Sequence, residues 1–417
     1  MVSSAPIAQF HLMHLRTLVA DVLRSNPFQQ ARLAGSGLDE GFDSLETFTA
    51  QCPLTTKEEL CADQAEHPPH GNNLTHALAE YTRFSRTSGT TGQPMSWLDT
   101  EEDWQWMLES WKMVFSAAGS KPGERAFFPF SFGPFLGFWT AFDAAHDYGL
   151  LAIPGGGMGS AERLQLLLRH RADILCATPT YAIRLAETAA EQGIDLARST
   201  ISKIIVAGEP GGCLLEVRQR IESLWPGAHV FDHHGMTEVG PVTYQKADEP
   251  NYLRVIHEAY FAEILDPGTL QPVEDGQSGE LTLTPLGRTG TPLLRYRTGD
   301  LVRPRRIGDD LILEGGILGR VDDMVIVRGV NLHPAAVEAL LRQLPGVAEY
   351  RVYVDKSAAL PEIRLEVEPA PEAPVDLAEQ AADALRKQFL LRIPVQSVPA
   401  GSLPRFELKA RRWQVNP

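Results

Sequence analysis

Between residues 150 and 224 the chain alternates between two textures. Short apolar runs, LLAIP (150–154), DILCAT (173–178) and KIIVAG (203–208), give way to stretches of helical spacing at 161–171, 180–192 and 212–224. Runs of this length suit buried strands and are too short for helices. Strand, loop and helix in repetition specify an α/β domain with a largely parallel sheet. Ligands of such sheets bind beyond the carboxyl ends of the strands. The loops at those ends are TPTY (178–181), GEPGG (208–212) and HHGMTEVGP (233–241).

The flanking sequence has other textures. Residues 7–33 read as helical, followed by a polar loop to about 56. The segment 100–119 is an amphipathic helix, with Trp104, Met107, Leu108, Trp111, Val114, Phe115 and Ala118 on one face and Thr100 as its N-cap. From 260, alternating runs split by Gly, Pro and Asp predict antiparallel hairpins. From 321 a compact α+β unit begins, with helices expected near 334–344 and 376–392. The expected division is a large N-terminal domain over 1–320, with 260–320 as a small β subdomain, and a C-terminal domain over 321–417.

The net charge of −15, from 38 basic and 53 acidic residues, argues against a nucleic acid or an anionic membrane as partner. The longest apolar stretch, 127–142, carries two prolines and two glycines and is too short to span a bilayer. No secretory signal opens the chain. The four cysteines have no CxxC spacing, which suggests reduced thiols and a cytoplasmic location.

The loop RTSGTTGQPM (86–95) has the glycines and hydroxyls of a phosphate-holding loop. It lacks the lysine and the spacing of a Walker A loop. In GMTEVGP, Thr237 beside Glu238 on a glycine-flanked turn is a candidate Mg²⁺ and phosphate seat. Asp300 in YRTGD follows a glycine turn, where a carboxylate can accept both hydroxyls of a ribose. Arg320 lies in GRVDD at the junction with the C-terminal unit, and Lys409 lies in LPRFELKARRW. Taken singly, each stretch also fits an ordinary polar turn, surface arginine or solvated tail.

Together and in order, TSGTTGQP, GMTE, YRTGD, GRVDDMVIVRGVNLHP and the terminal lysine resemble the adenylate-forming superfamily of acyl- and aryl-CoA synthetases, adenylation domains and luciferases. The short length, TPTY, GEP and RGVNLHP are most similar to its phenylacetate–CoA ligase branch. The resemblance implies that Ser88, Gly89, Thr90, Thr91 and Gly92 hold the ATP phosphates. It implies that Gly208, Glu209 and Pro210 border the adenine, with Asp232 and His233 adjoining. Thr237 would touch the α-phosphate, Glu238 would bind Mg²⁺, and Asp300 with Arg320 would take the ribose. Lys409 would bridge the carboxylate and the α-phosphate. Asp322 would be the hinge of a mobile C-terminal domain, and Arg328 and Gly329 would line the path of the acceptor thiol of CoA. The aromatic segment 130–139 resembles the branch's acid pocket, with Phe132, Phe135, Gly137 and His234 as candidate lining. A homodimer is the assembly the family suggests.

Two departures stand out. His234 occupies a position where most relatives carry an aromatic residue. His233, His234 and His257 would form a zinc set, but no Cys–His spacing of a zinc site accompanies them. The acceptor is also open, since a carrier-protein thiol or an amine would suit the same adenylate. A dinucleotide-dependent oxidoreductase is the remote alternative, on Gly155, Gly157 and Asp173, but Ser160 replaces its third glycine.

Overall fold

The computed structural model describes residues 5–87, 94–323, 325–327, 330–332, 334–355, 362–406 and 410–416. Ser88, Gly89, Thr90, Thr91, Gly92, Arg328, Gly329 and Lys409 lie outside the described residues.

Helices α1 (Ala5–Ser25) and α2 (Pro27–Leu33) meet at Asn26, whose side chain caps α2 by accepting from Gln29 N at 2.9 Å. Proline at the first position of α2 has no amide to leave unpaired. The segment read as a polar loop contains a helix, α3 (Leu45–Gln51), and α4 (Lys57–Glu66) follows it. Both begin at hydroxyl N-caps, Ser44 for α3 and Thr56 for α4, the latter in a capping box with Glu59. Strands β1 (Tyr81–Arg86) and β2 (Ser96–Thr100) pair antiparallel, and the glycine loop lies between them in sequence. Helix α5 (Glu101–Ala117) opens on a capping box between Thr100 and Asp103, and its apolar face is buried as expected.

The alternating region forms a five-stranded parallel sheet. Its strands are β3 (Arg125–Phe128), β4 (Leu151–Pro154), β5 (Ile174–Ala177), β6 (Lys203–Val206) and β7 (His229–Asp232), in the order β4-β3-β5-β6-β7. Intervening helices are α6 (Leu136–Asp147), α7 (Ser160–Arg169), α8 (Pro179–Glu191) and α9 (Leu215–Leu224). Because strand residues alternate faces, Phe127, Leu175, Ile204 and Val230 pack with α7, α8 and α9. Their neighbours Ala126, Cys176, Ile205 and Phe231 pack with α5 and α6.

Two antiparallel four-stranded sheets follow. One joins Tyr260–Leu265, Gly279–Pro285, Tyr296–Val302 and Gly319–Arg320; the other includes Tyr252–Val255, Pro304–Ile307 and Asp310–Glu314. The C-terminal unit is a mixed sheet of Val347–Asp355, Glu362–Pro369, Val395–Ser397 and Trp413–Asn416, with helices Pro334–Gln343 and Leu377–Phe389. It has its own core, including Val337, Leu341, Val352, Leu365 and Leu385. The architecture is thus mixed α/β, as the strand–helix alternation implied. Among the described residues no helix is long and apolar enough to cross a membrane.

Candidate active site

The loops TPTY, GEPGG and HHGMTEVGP follow β5, β6 and β7, so they gather at the carboxyl edge of the sheet. Asp232 ties two of them together, accepting from Cys213 N at 2.8 Å and from its neighbour His233 N at 3.0 Å. A Cβ on Gly212 would stand 2.5 Å from the Asp232 carboxyl carbon, so only glycine lets the loop lie this close. Burial pushes Asp232 up to about 6, against the pull of those hydrogen bonds. The His233 ring meets Trp111 at 4.3 Å, tilted by 52°, and its Nδ1 faces Thr243 O at 2.6 Å; burial lowers its pKa to about 3. Glu209 accepts from Thr180 N, at the start of α8, at 2.8 Å.

A second group is built on the strand Tyr296–Val302. Gly299 adopts φ +75°, and a Cβ there would stand 2.5 Å from Arg320 Nη2. The bare turn lets the guanidinium reach Asp300 Oδ1 and Thr298 O, each at 3.2 Å. Arg320 also pairs with Asp322 at 2.9 Å, so one arginine joins the expected ribose carboxylate to the expected hinge. His234 Nε2 lies 3.2 Å from Asp300 Oδ2 without the alignment of a hydrogen bond. Both atoms are otherwise buried without a partner, so the site holds an unused acceptor.

Thr237 and Glu238 lie on the turn after β7, held from behind by residues that the motif reading did not single out. Arg288 Nη1 donates to the carbonyls of Thr237 and Glu238 at 2.7 and 2.9 Å. Its Nε pairs with Asp99 Oδ1 at 2.6 Å, and both side chains are 0% exposed. The guanidinium also sits over Trp97 at 5.2 Å. Glu238 is buried, and Lys57, at the start of α4, stands 3.8 Å from its carboxylate. Neither Lys57 nor Arg288 belongs to a motif; an arginine after a long apolar strand and a lysine in a capping box are ordinary in sequence.

The stem of the glycine loop is closed by Thr87, whose Oγ1 accepts from Met95 N at 3.0 Å. Met95, standing where a lysine was sought, is a core residue. Arg86 N donates to Pro134 O at 2.8 Å, which ties this stem to the aromatic segment. There Phe132 has φ +47°, a conformation rare for a bulky side chain. Its ring meets Trp139 at 4.9 Å, Phe142 at 5.2 Å and Phe130 at 6.3 Å. Phe135 precedes α6 and Gly137 lies exposed in its first turn. Gly156 packs on this segment: a Cβ there would meet Phe130 O at 3.0 Å. The Asp173 carboxylate, one of the features that suggested a dinucleotide loop, is engaged with Arg125 at 2.8 and 2.9 Å.

Arg405 and Arg412 bracket the segment that contains Lys409. Arg405 pairs with Glu368, and Arg412 with Glu349 at 2.6 Å and Glu338 at 3.2 Å. The terminal basic stretch is therefore partly an internal ion-pair anchor rather than a solvated tail. Ala410 N donates to Glu209 Oε2 at 3.0 Å. Among the described residues no group of three or more His, Cys, Asp or Glu side chains is gathered as a metal would require. His257 faces Glu258 and Asp310 instead of His233 and His234.

Family models for the AMP-binding enzyme and for the AMP-binding enzyme C-terminal domain match residues 84–285 and 329–414. A phenylacetate-coenzyme A ligase of Thermus thermophilus is 31% identical over 362 residues, covering 85% of this chain and 79% of that protein. The structure of a 2-hydroxyisobutyryl-CoA ligase in the postadenylation state, with a bound acyl-AMP, superposes with a TM-score of 0.94 at 27% identity, covering 100% of this chain and 90% of that one. The same ligase in its thioesterification state, with an acyl-AMP and CoA, gives 0.75 at 28% identity, covering 100% and 91%. On these family matches and this likeness over most of its length, the chain belongs to the AMP-binding, adenylate-forming enzymes, in the branch of the phenylacetate–CoA ligases.

Proposed function

We propose that the protein is an ATP-dependent, AMP-forming acid–thiol ligase. It activates an aryl or arylacetic acid as its acyl-adenylate and passes the acyl group to CoA. The observation that carries the nucleotide site is Asp300: a buried carboxylate with one oxygen on Arg320 and the other unpartnered beside His234. That vacancy in hydrogen bonding suits the donor hydroxyls of a ribose. The better match to a postadenylation structure than to a thioesterification structure of one ligase supports an adenylation-type arrangement of this chain.

A carboxylate is a poor acyl donor because its leaving group would be an oxide. Joining it to AMP supplies a better leaving group, but requires two anions to meet. Lys409 stabilises the charge that develops between carboxylate and α-phosphate. Glu238, a nearly buried carboxylate beside Thr237, fits the single-carboxylate seat that Mg²⁺ commonly uses, and Mg²⁺ when bound there neutralises phosphate charge. Arg288 fixes the carbonyls of that turn, so Glu238 is presented without reorganisation. Ser88, Gly89, Thr90, Thr91 and Gly92 grip the β and γ phosphates with neutral donors, which permits pyrophosphate to leave. Gly208 and Pro210 border the adenine, and rotation about Asp322 brings Arg328 and Gly329 toward the thiol path.

Phe132, Phe130, Phe142 and Trp139 supply edge-to-face surfaces that favour a ring over an aliphatic acid. Thioester formation over a panel of aromatic and aliphatic acids, with CoA, a carrier-protein thiol or an amine as acceptor, tests this assignment. Aromatic acids with CoA should give the highest kcat/KM. A preference for short aliphatic acids removes the aromatic assignment, and adenylate formed without thioester on adding CoA moves the acceptor.

A further inference from the structure

Glu209 was expected beside the adenine, yet both of its carboxylate oxygens are engaged elsewhere. Oε1 accepts from Thr180 N at 2.8 Å and Oε2 from Ala410 N at 3.0 Å. The first amide belongs to the opening turn of α8, whose N–H groups have no partner within the helix. The second belongs to the C-terminal unit, to the residue that follows Lys409. Two further contacts link the same surfaces: Arg405 lies 3.8 Å from Glu187 on α8, and Gln343 donates to Glu216 on α9 at 2.7 Å. On the N-terminal side all three groups are glutamates, and Glu209 alone among them receives a backbone amide from the lysine segment.

We propose that Glu209 is a positioning residue, a clamp that holds the C-terminal unit at Ala410, the residue after Lys409 in sequence, and lets go when that unit turns for thioester formation. The inference rests on the adenylation reading above. An ionised carboxylate can accept from two amides at once, and each such bond is charge-assisted. The positive end of α8 favours the negative charge there. The arm to Thr180 is internal to the N-terminal part, so Glu209 stays aimed when the arm to Ala410 opens. Its loop neighbours Gly208 and Pro210 are the residues assigned to the adenine, so nucleotide and clamp share one three-residue loop.

Glu209→Gln tests this, because the amide keeps the size of the side chain but can accept through one atom only. Loss of one charge-assisted bond should lower kcat for acid-dependent ATP–pyrophosphate exchange about tenfold to a hundredfold. The KM for ATP should change less than twofold. Glu187→Gln, outside the adenine loop, should lower kcat in the same direction by a smaller factor. Spin labels at the exposed positions Arg220 and Arg386 should give one narrow distance in the parent protein and a broadened distribution in Glu209→Gln. A raised KM with unchanged kcat would make Glu209 an adenine wall and overturn the clamp. An unchanged label distance in Glu209→Gln would overturn it as well. Absence of exchange in the parent protein with every acid would instead remove the functional assignment, while the label distances would still decide the clamp.

Discussion

Replacing Arg288 with methionine should disable the turn that presents Glu238 without touching any substrate. Arg288 and Asp99 are fully buried and 2.6 Å apart, so the substitution strands a carboxylate in the interior. Removing one partner of such a pair costs about 3–5 kcal/mol. The carbonyls of Thr237 and Glu238 also lose their donor, at about 1–3 kcal/mol for a buried group left unpaired. Because the costs overlap, we expect a total near 4 kcal/mol rather than their sum. Urea unfolding followed by tryptophan fluorescence reports it, since Trp97 lies beneath the guanidinium and responds to its loss. The double variant Asp99→Leu with Arg288→Met removes the stranded charge and should recover about 2 kcal/mol, leaving the unpaired carbonyls. A single variant within about 1 kcal/mol of the parent, or a cycle in which the two substitutions simply add, would refute the reasoning.

Other expectations concern acid, phosphate and rotation. His233 is held neutral to about pH 3 by burial, whereas the unfolded chain takes up its proton near 6.5. Its contribution is complete above pH 6.5 and is lost as pH falls from there, on the order of 4 kcal/mol by the bottom of that window. Asp232, raised to about 6, acts oppositely, because below pH 6 the native state binds the proton first. His233→Gln should therefore flatten the fall of stability between pH 6.5 and 4.5, and an unaltered profile would contradict this assignment. Lys57→Met should raise the KM for ATP about tenfold if the ammonium beside Glu238 also meets phosphate oxygen; an unchanged KM would leave it a purely structural partner. Asp322→Pro should spare pyrophosphate exchange and block thioester formation, and full turnover by this variant would rule out rotation there.

The legible part of the molecule is where one residue pattern has one physical solution. Short apolar runs between helical stretches left a parallel sheet as the only economical burial, and the observed strands start and end within a residue or two of those runs. The Trp104–Ala118 face was equally plain, because its residues recur at helical spacing. The helices α3 and α4 were lost among polar residues, since little of their surface is buried and neither shows a long apolar stripe. In the site, Gly299 and Asp300 could be read because a bare turn next to a carboxylate is a local arrangement. Arg288, Asp99 and Lys57 could not, because 189 residues separate the first two and Lys57 meets Glu238 only through tertiary folding. Glu209 was read only as a neighbour of the adenine, because its reach to Ala410 depends on how the C-terminal unit sits.

The most direct test of the central claim is acid-dependent ATP–pyrophosphate exchange by the parent protein and by Lys409→Ala. We expect exchange that requires an aromatic acid and Mg²⁺, and a fall of about 10²–10³ in its rate when the ammonium is removed. Exchange with no acid at all, or an equal rate in the Lys409→Ala variant, would contradict adenylation by this site.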